Sequence, residues 1–315
     1  MGSTPSSPSD VPISAKIVQN WDLLRSYRRG DQKANDIARI FTDIEEYESL
    51  ANRYGLRPLD SSTVLEIGFG TRPYRLMALQ RRGVTAMGVD MEVPLLMGSI
   101  DEYRRILRVN GLERLVKSLI RRALFDRSER DVFLRRLSEH GWDQPIDPTA
   151  FLVGDAADLE LANASADLIL SEDVFEHVDA GALPRLVNRM AHWLRPGGLA
   201  LIRPNVYTGI TGGHLVEWDR WSYVHPPAHR RSEPWEHLRR QRFTANSYLN
   251  GLRLDDYRRE FSRRFEILEE RLKFPGLGSE FLTPIVRAEL SDYSVEELLT
   301  NQVLFVLSPR AESGG

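Results

Sequence analysis

Asp173, Glu176 and His177 stand at i, i+3 and i+4, a spacing that gathers three side chains on one side of a helical turn. Two carboxylates and an imidazole held together can take a proton from a weakly acidic hydroxyl or bind a cation. A second imidazole, His214, follows in the run Gly212-Gly213-His214-Leu215-Val216-Glu217-Trp218. A different chemistry is written around Gly68-Phe69-Gly70, where the backbone leaves an apolar run and enters a helical one. Such a turn lets a ligand approach the main chain closely. A dinucleotide fingerprint needs a third glycine where this chain has Pro73, and does not expect Glu66 two residues before the turn. A carboxylate there repels a pyrophosphate and attracts a cation, so the expected ligand is a cationic nucleoside.

These residues need a frame that holds them at one edge. Residues 63–67 form a β-type run, 72–82 a helix closed by Gly83, and 85–89 a second strand. That β-α-β unit is the signature of a parallel sheet with a right-handed crossover. Further strands are expected over 150–153, 167–170 and 199–202, with a helix over 183–194 stopped by Arg195-Pro196-Gly197-Gly198. A last long helix over 254–265 and closing strands over 265–272 and 303–307 follow, the final one able to pair antiparallel. The fold class is α/β, a Rossmann-like, doubly wound and mostly parallel sheet from about residue 60 to 310.

In order and spacing, residues 60–205 resemble the class I S-adenosylmethionine-dependent methyltransferases. Glu66-Ile67-Gly68-Phe69-Gly70 is similar to the family's first motif, whose glycine turn lies under the methionine part of the cofactor. Arg72 replaces the usual third glycine, which would put a guanidinium near the methionine carboxylate. Asp90, with Met91 after it, matches the acid that accepts from the ribose hydroxyls. Asp155 and Ala156 match the acid turn that meets the adenine amino group. Residues 171–178, with Glu172, and the Leu194–Gly198 turn complete the pattern. The resemblance implies S-adenosylmethionine as cofactor and S-adenosylhomocysteine as product. It places Glu66, Gly68, Gly70, Arg72, Asp90, Met91, Asp155, Ala156 and Glu172 against that cofactor.

The acid-x-x-Glu-His turn also resembles the metal-binding element of the ubiquinone-pathway O-methyltransferases. With the later His-x-x-Glu-Trp it is similar to the small-RNA terminal 2′-O-methyltransferases, where two acids and two histidines hold Mg2+. The resemblance implies Asp173, Glu176, His177 and His214 as catalytic residues and as ligands of Mg2+ or Mn2+. Asp173 is one methylene shorter than the glutamate usual there. Zn2+ or Fe2+ would also accept two histidines and a carboxylate. Direct proton acceptance by His177 or His214, or packing of the histidines near the cofactor, are the alternatives.

The chain has 315 residues, 42% apolar and 28% charged, with 42 basic and 45 acidic side chains for a net charge of −3. It can bury a sizeable core, and bulk charge does not make it a polyanion binder. Without cysteine, disulfides, thiolate metal sites and cysteine nucleophiles are excluded. No apolar run reaches the length of a membrane span and no basic-then-apolar signal pattern opens the chain, so a cytoplasmic enzyme is expected. Residues 1–12 are Ser/Pro-rich and expected to be disordered, 13–60 form an N-terminal helical segment, and 61–315 the methyltransferase domain. Within that domain, 93–148 is a helical insertion and 205–250 an aromatic lid over the acceptor. In the lid, Trp218, Trp221, Tyr223, His225, Pro226, Pro227, His229, Trp235, His237 and Tyr248 either stack on an acceptor or form the core of a small cap. In the insertion, residues 103–136 carry eleven basic and four acidic side chains, a local charge of +7. This is either a solvated helix packed on its own domain or a dimer partner, or a basic amphipathic surface for an anionic acceptor, a membrane or RNA.

The expected activity is methyl transfer to a hydroxyl of a small organic acceptor, a sugar or secondary metabolite. Nucleic acid is disfavoured as a partner, because no RNA-binding module is recognisable, and a homo-oligomer is compatible with the sequence. Two alternatives stay open: an RNA ribose 2′-O-methyltransferase, and a non-catalytic S-adenosylmethionine-binding scaffold.

Overall fold

The computed structural model describes residues 30–219, 230–243, 245 and 247–310. Residues 1–29, 220–229, 244, 246 and 311–315, with the expected tail, Trp221, Tyr223, His225, Pro226, Pro227 and His229, lie outside them. A single seven-stranded sheet carries the fold. Its strands are β1 (Thr63–Ile67), β2 (Thr85–Asp90), β3 (Phe151–Val153), β4 (Ala166–Glu172), β5 (Leu194–Arg203), β6 (Phe265–Lys273) and β7 (Gln302–Pro309), in the order β3-β2-β1-β4-β5-β7-β6. The first five are parallel, whereas β7 runs antiparallel between β5 and β6. The order reverses between β1 and β4, so the carboxyl ends of these two strands open the crevice in which such sheets bind ligands.

Side-chain alternation along the strands divides the core into two layers. Val64, Leu168 and Leu170 face helices α1 (Gly30–Arg53), α2 (Tyr74–Arg82) and α4 (Arg127–Glu139), among Phe41, Ile44, Leu76, Leu79 and Phe133. Leu65, Ile67 and Ile169 face α5 (Leu183–Trp193) and α6 (Leu254–Ser262), among Leu186, Met190, Trp193, Tyr257 and Phe261. The apolar stripe of α1, Ile37, Phe41, Ile44 and Tyr47, is buried in the first layer, so this helix belongs to the same core as the sheet. The insertion consists of α3 (Ile100–Arg121), a π-type turn (Arg122–Asp126) and α4. Gly111, at φ 83° and ψ 176°, interrupts α3 at mid-length.

Element ends differ from the sequence expectation where local chemistry intervenes. Helix α2 starts at Tyr74 rather than at residue 72, because Pro73 stands outside helical geometry at ψ 50°. It ends at Gly83, in the left-handed region at φ 100°, whose N–H donates to the carbonyls of Gln80 and Leu79. Helix α6 ends at Ser262 and Phe265 already begins β6. Strand β5 begins at Leu194, ahead of the Pro-Gly-Gly turn, with a shift of register against β4.

Candidate active site

The carboxyl ends of β1, β2, β3 and β4 enclose a cavity of about 770 Å³. Glu66, Gly68, Gly70, Arg72, Asp90, Met91, Asp155, Ala156 and Glu172 all line it, together with Asp173 and His177. The two glycines shape its floor. Both have positive φ, 82° at Gly68 and 68° at Gly70. A Cβ at Gly68 would collide with Val174, whereas one at Gly70 would meet nothing within 4 Å. The turn is thus packed on one side and open on the other, where a ligand can lie on bare backbone.

Three acids mark the cavity at successive strand ends. Asp90 accepts the backbone N–H groups of Gly70 (2.7 Å) and Glu92 (2.8 Å), which fixes its orientation. Burial raises its pKa and those two N–H groups oppose the rise. Asp155 accepts the N–H of Ala157 at 2.8 Å, turning the chain sharply after β3. Glu66 is buried, and burial raises its pKa against the pull of Arg75. Its Oε2 and the Oε1 of Glu172 are buried without a hydrogen-bond partner. Acceptor oxygens left so in a cleft suit a cationic, N–H-bearing ligand.

Arg72 is placed differently from expectation. Its guanidinium turns away to Glu129 and to Asp126 (3.5 Å) of the insertion, although the residue still borders the cavity. Arg75 instead donates to Glu66 (2.9 Å) and to Glu172 (2.6 Å). Glu172 is also paired with Arg203, which holds Asp43 of α1 at 2.8 Å and 3.0 Å. A chain of buried charges therefore runs from α1 beneath the sheet edge to the glycine turn. Burial pushes Glu172 up to about 8, with Arg203 opposing.

Beyond β4, Asp173 takes a positive φ of 56° and a short 3₁₀ turn (Phe175–His177) follows. Glu176, His177 and His214 come together here, with ligand atoms within 4.8 Å of one another. Asp173 does not join that set: Asn205 (3.0 Å) and Gln302 donate to its Oδ1. The four-residue ligand group expected from sequence is thus three residues in the structure, because the left-handed backbone at Asp173 precedes the helical turn. The imidazoles of His177 and His214 meet edge to face at 5.0 Å, and His214 Nε2 lies 3.7 Å from Glu176 Oε1. His177 Nδ1 is 2.8 Å from the carbonyl oxygen of Tyr248. Nδ1–H donates to that carbonyl, which leaves the lone pair on Nε2. Burial, then the Asp173 carboxylate, push Glu176 up to about 8. Burial and the neighbouring His177 bring His214 down to about 4. Only His177 of the three borders the cavity; Glu176 and His214 stand behind it.

The aromatic segment is a cap core at its described tryptophans. Trp218 is buried, donates to Ser232 Oγ (2.9 Å), and meets Phe281 edge-on at 5.0 Å. Trp235 is buried and donates to the Thr208 carbonyl (3.1 Å). Both sit in a small cluster with Ile210, Leu215, Val286 and Leu298, so neither stacks on an acceptor. His237 is buried against the Tyr207 carbonyl (2.8 Å). Glu217, the acid of the His-x-x-Glu-Trp run, accepts from Arg231 and Ser232 and anchors a loop. Tyr248 does border the cavity.

A family model described as "Methyltransferase domain" matches residues 38–248. The chain belongs to this methyltransferase family. It is an enzyme of the class I, S-adenosylmethionine-dependent type. The match begins inside α1, which agrees with that helix sharing the core of the sheet. Among solved structures, this methyltransferase is similar to an S-adenosylmethionine-dependent methyltransferase from Methanosarcina mazei, at 15% identity and a TM-score of 0.44, over 84% of this chain and 98% of that one. A putative S-adenosylmethionine-dependent methyltransferase from Listeria monocytogenes shares 11% identity at a TM-score of 0.42, over 81% and 94%. The geranyl diphosphate C-methyltransferase of Streptomyces coelicolor shares 14% at 0.41, over 85% and 79%. No curated protein matches the chain. Among the described residues no helix is long and apolar enough to cross a membrane.

Sequence reasoning missed Arg75, Asn205 and Gln302. Arg75 carried a signal: a cation in the first turn of a helix opposes the macrodipole and calls for acids close by. The two amides carried none, being neutral side chains brought to Asp173 from the segment just after β5 and from the start of β7, which are bridged at Asn205 and Gln302.

Proposed function

We propose that this methyltransferase acts on a hydroxyl of a small organic acceptor, a sugar or secondary metabolite, with His177 at the reacting oxygen. The observation that carries this reading is the tautomer of His177: one nitrogen is tied to the Tyr248 carbonyl and the ring borders the cofactor cavity. In the reaction the acceptor oxygen attacks the methyl carbon as the carbon–sulfur bond breaks, its electron pair returning to sulfur. The hydroxyl proton passes to Nε2 of His177, and the positive charge moves from sulfonium to imidazolium. The neutral His214 ring adds no competing charge, and the protonated Glu176 carboxyl adds none of the opposite sign. Glu66, Gly68, Gly70, Asp90 and Asp155 hold the cofactor in this reading, with Arg75 in the role first expected of Arg72.

The same three side chains fit a divalent ion. Glu176 Oε2 is buried without a partner; a cation would bring the Glu176 pKa back down and hold His214 still more firmly in its neutral, ligating form. Glu176, His177 and His214 would hold it, and two imidazoles with one carboxylate suit Mn2+, Zn2+ or Fe2+ better than Mg2+. Such an ion would lower the pKa of the acceptor hydroxyl. An RNA acceptor and a non-catalytic scaffold find less support: Asp173, one of the two acids in the RNA-type ligand set, is held by Asn205 and Gln302 outside the cluster, and the His177 ring borders the cavity. The test is turnover of labelled S-adenosylmethionine with hydroxyl-bearing acceptors and their deoxy analogues. Label in product, lost when one hydroxyl is removed, is expected; label on nitrogen or carbon would overturn the reading.

A further inference from the structure

Ten of the fourteen exposed large hydrophobic side chains among the described residues fall between Met91 and Leu134. Within α3 they are arranged as a face. After the break at Gly111, Leu112, Val116, Leu119 and Ile120 follow at i, i+4, i+7 and i+8, the spacing of a helical stripe, and are 45–66% exposed. Ser118 on the same helix is buried. Leu115 packs inward on Val93, Tyr103 and Ile106 beside the buried Ser118, so this half-helix is seated by one leucine while four aliphatic side chains face outward.

Charge surrounds that stripe. Residues 103–136 carry +7, so the remainder of a chain of net charge −3 carries −10. Arg105 and Arg108 are exposed and have no acid partner among the described residues. Met97, Leu119 and Leu134 also rim a cavity of about 650 Å³ whose inner wall includes Met77, Leu95 and Phe133. An apolar chain entering between the helices would find room there.

We infer that α3 and the start of α4 form a docking face for an anionic phospholipid bilayer, with the aliphatic stripe entering the acyl boundary and Arg105 and Arg108 at the phosphates. Three observations favour that occupant. Exposed aliphatic side chains have no use on a fully hydrated polyanion. Among the described residues the exposed set between Met91 and Leu134 contains no aromatic ring, which is what single-stranded RNA would stack upon. Two copies joined face to face would oppose like charges, since residues 100–139, α3 through α4, carry eleven basic and seven acidic side chains, +4 on each copy. The inference goes beyond the acceptor reading and does not depend on it, since its test reads binding and not methyl transfer.

The full chain is floated with vesicles of phosphatidylcholine alone and of phosphatidylcholine with phosphatidylglycerol. Binding to the anionic vesicles is expected, about tenfold or more above the zwitterionic ones. Arg105→Glu with Arg108→Glu should weaken it roughly thirtyfold or more, from the loss of two cations at the surface. Leu112→Asp with Ile120→Asp should weaken it at least about tenfold, with S-adenosylhomocysteine binding retained in both variants as evidence of folding. Should the aspartate pair not fold, the arginine pair, on exposed positions, carries the test alone. No flotation with anionic vesicles, or equal flotation with both kinds, overturns the inference. So does tight retention on single-stranded RNA that survives the aspartate pair. A dimer in sedimentation that the aspartate pair abolishes overturns it in favour of a second copy.

Discussion

Replacing Arg75 by methionine tests the buried charge chain at the point where it meets the cofactor turn. Arg75 is the cation that touches Glu66, at 2.9 Å, and one of two that touch Glu172. The side chains of Arg75, Glu66 and Glu172 are 15%, 2% and 4% exposed, so water screens little. Methionine keeps much of the volume and removes the charge. Glu172 retains Arg203, but Glu66 is left as an unpaired buried carboxylate, and breaking a buried pair in this way costs about 3–5 kcal/mol. Glu66 lowers that cost by taking up a proton. Burial already holds its pKa above the ordinary 4.5 with Arg75 opposing, and without Arg75 it rises further. Between 4.5 and the raised folded value, the folded protein binds more protons than the unfolded chain, so stability falls as pH rises through that window. Urea unfolding at about pH 8.5 should therefore show the variant weaker by about 3–5 kcal/mol, and at about pH 5.5 by distinctly less. Adding Glu66→Gln should restore most of the loss, because a neutral amide strands no charge. A variant within about 1 kcal/mol of the parent at both pH values, or a deficit that grows as pH falls, would refute the reasoning.

His177→Ala should slow methyl transfer by about 10²–10⁴-fold while leaving the affinity for S-adenosylhomocysteine unchanged, measured by single-turnover kinetics and calorimetry. Added Mn2+ or Zn2+ should raise the melting temperature of the parent and of Asp173→Asn, but not of Glu176→Ala or His214→Ala; at a hundred times its dissociation constant an ion contributes about 2.7 kcal/mol. Full activity and an unchanged melting temperature after chelation would leave His177 as the unaided proton acceptor. Trp218→Ala should lower stability by about 3–5 kcal/mol and shift the Michaelis constants for acceptor and cofactor equally, because its ring packs on Phe281 within the cap.

The sheet was legible in the sequence because its strands are nearly continuous apolar runs that end in turn residues: TVLEI stops at Gly68, and the α2 helix stops at Gly83. The nine residues expected at the cofactor line one cavity because each lies at or shortly after the carboxyl end of a strand, and those ends share one edge in a parallel sheet. What could not be read was direction. Arg72 and Arg75 stand within one turn of each other, and only the start of α2 behind Pro73 sends the first toward the insertion and the second toward Glu66. Asp173 fell out of the expected ligand set because its φ of 56° turns it aside before the helical spacing begins. Trp218 and Trp235 were ambiguous for another reason: the same rings serve a cap core or a ligand face, and the partners that decide, Phe281 and Thr208, lie outside the local sequence.

In the proposed complex a sulfonium nucleoside lies over Gly68 and Gly70 with its ribose at Asp90. Isothermal titration with S-adenosylhomocysteine tests this most directly. The parent should bind, and Asp90→Ala should bind roughly 10–100-fold more weakly, the loss expected for hydrogen bonds to a charged group. An absence of heat with S-adenosylhomocysteine, alongside saturable binding of NAD or ATP, would contradict it.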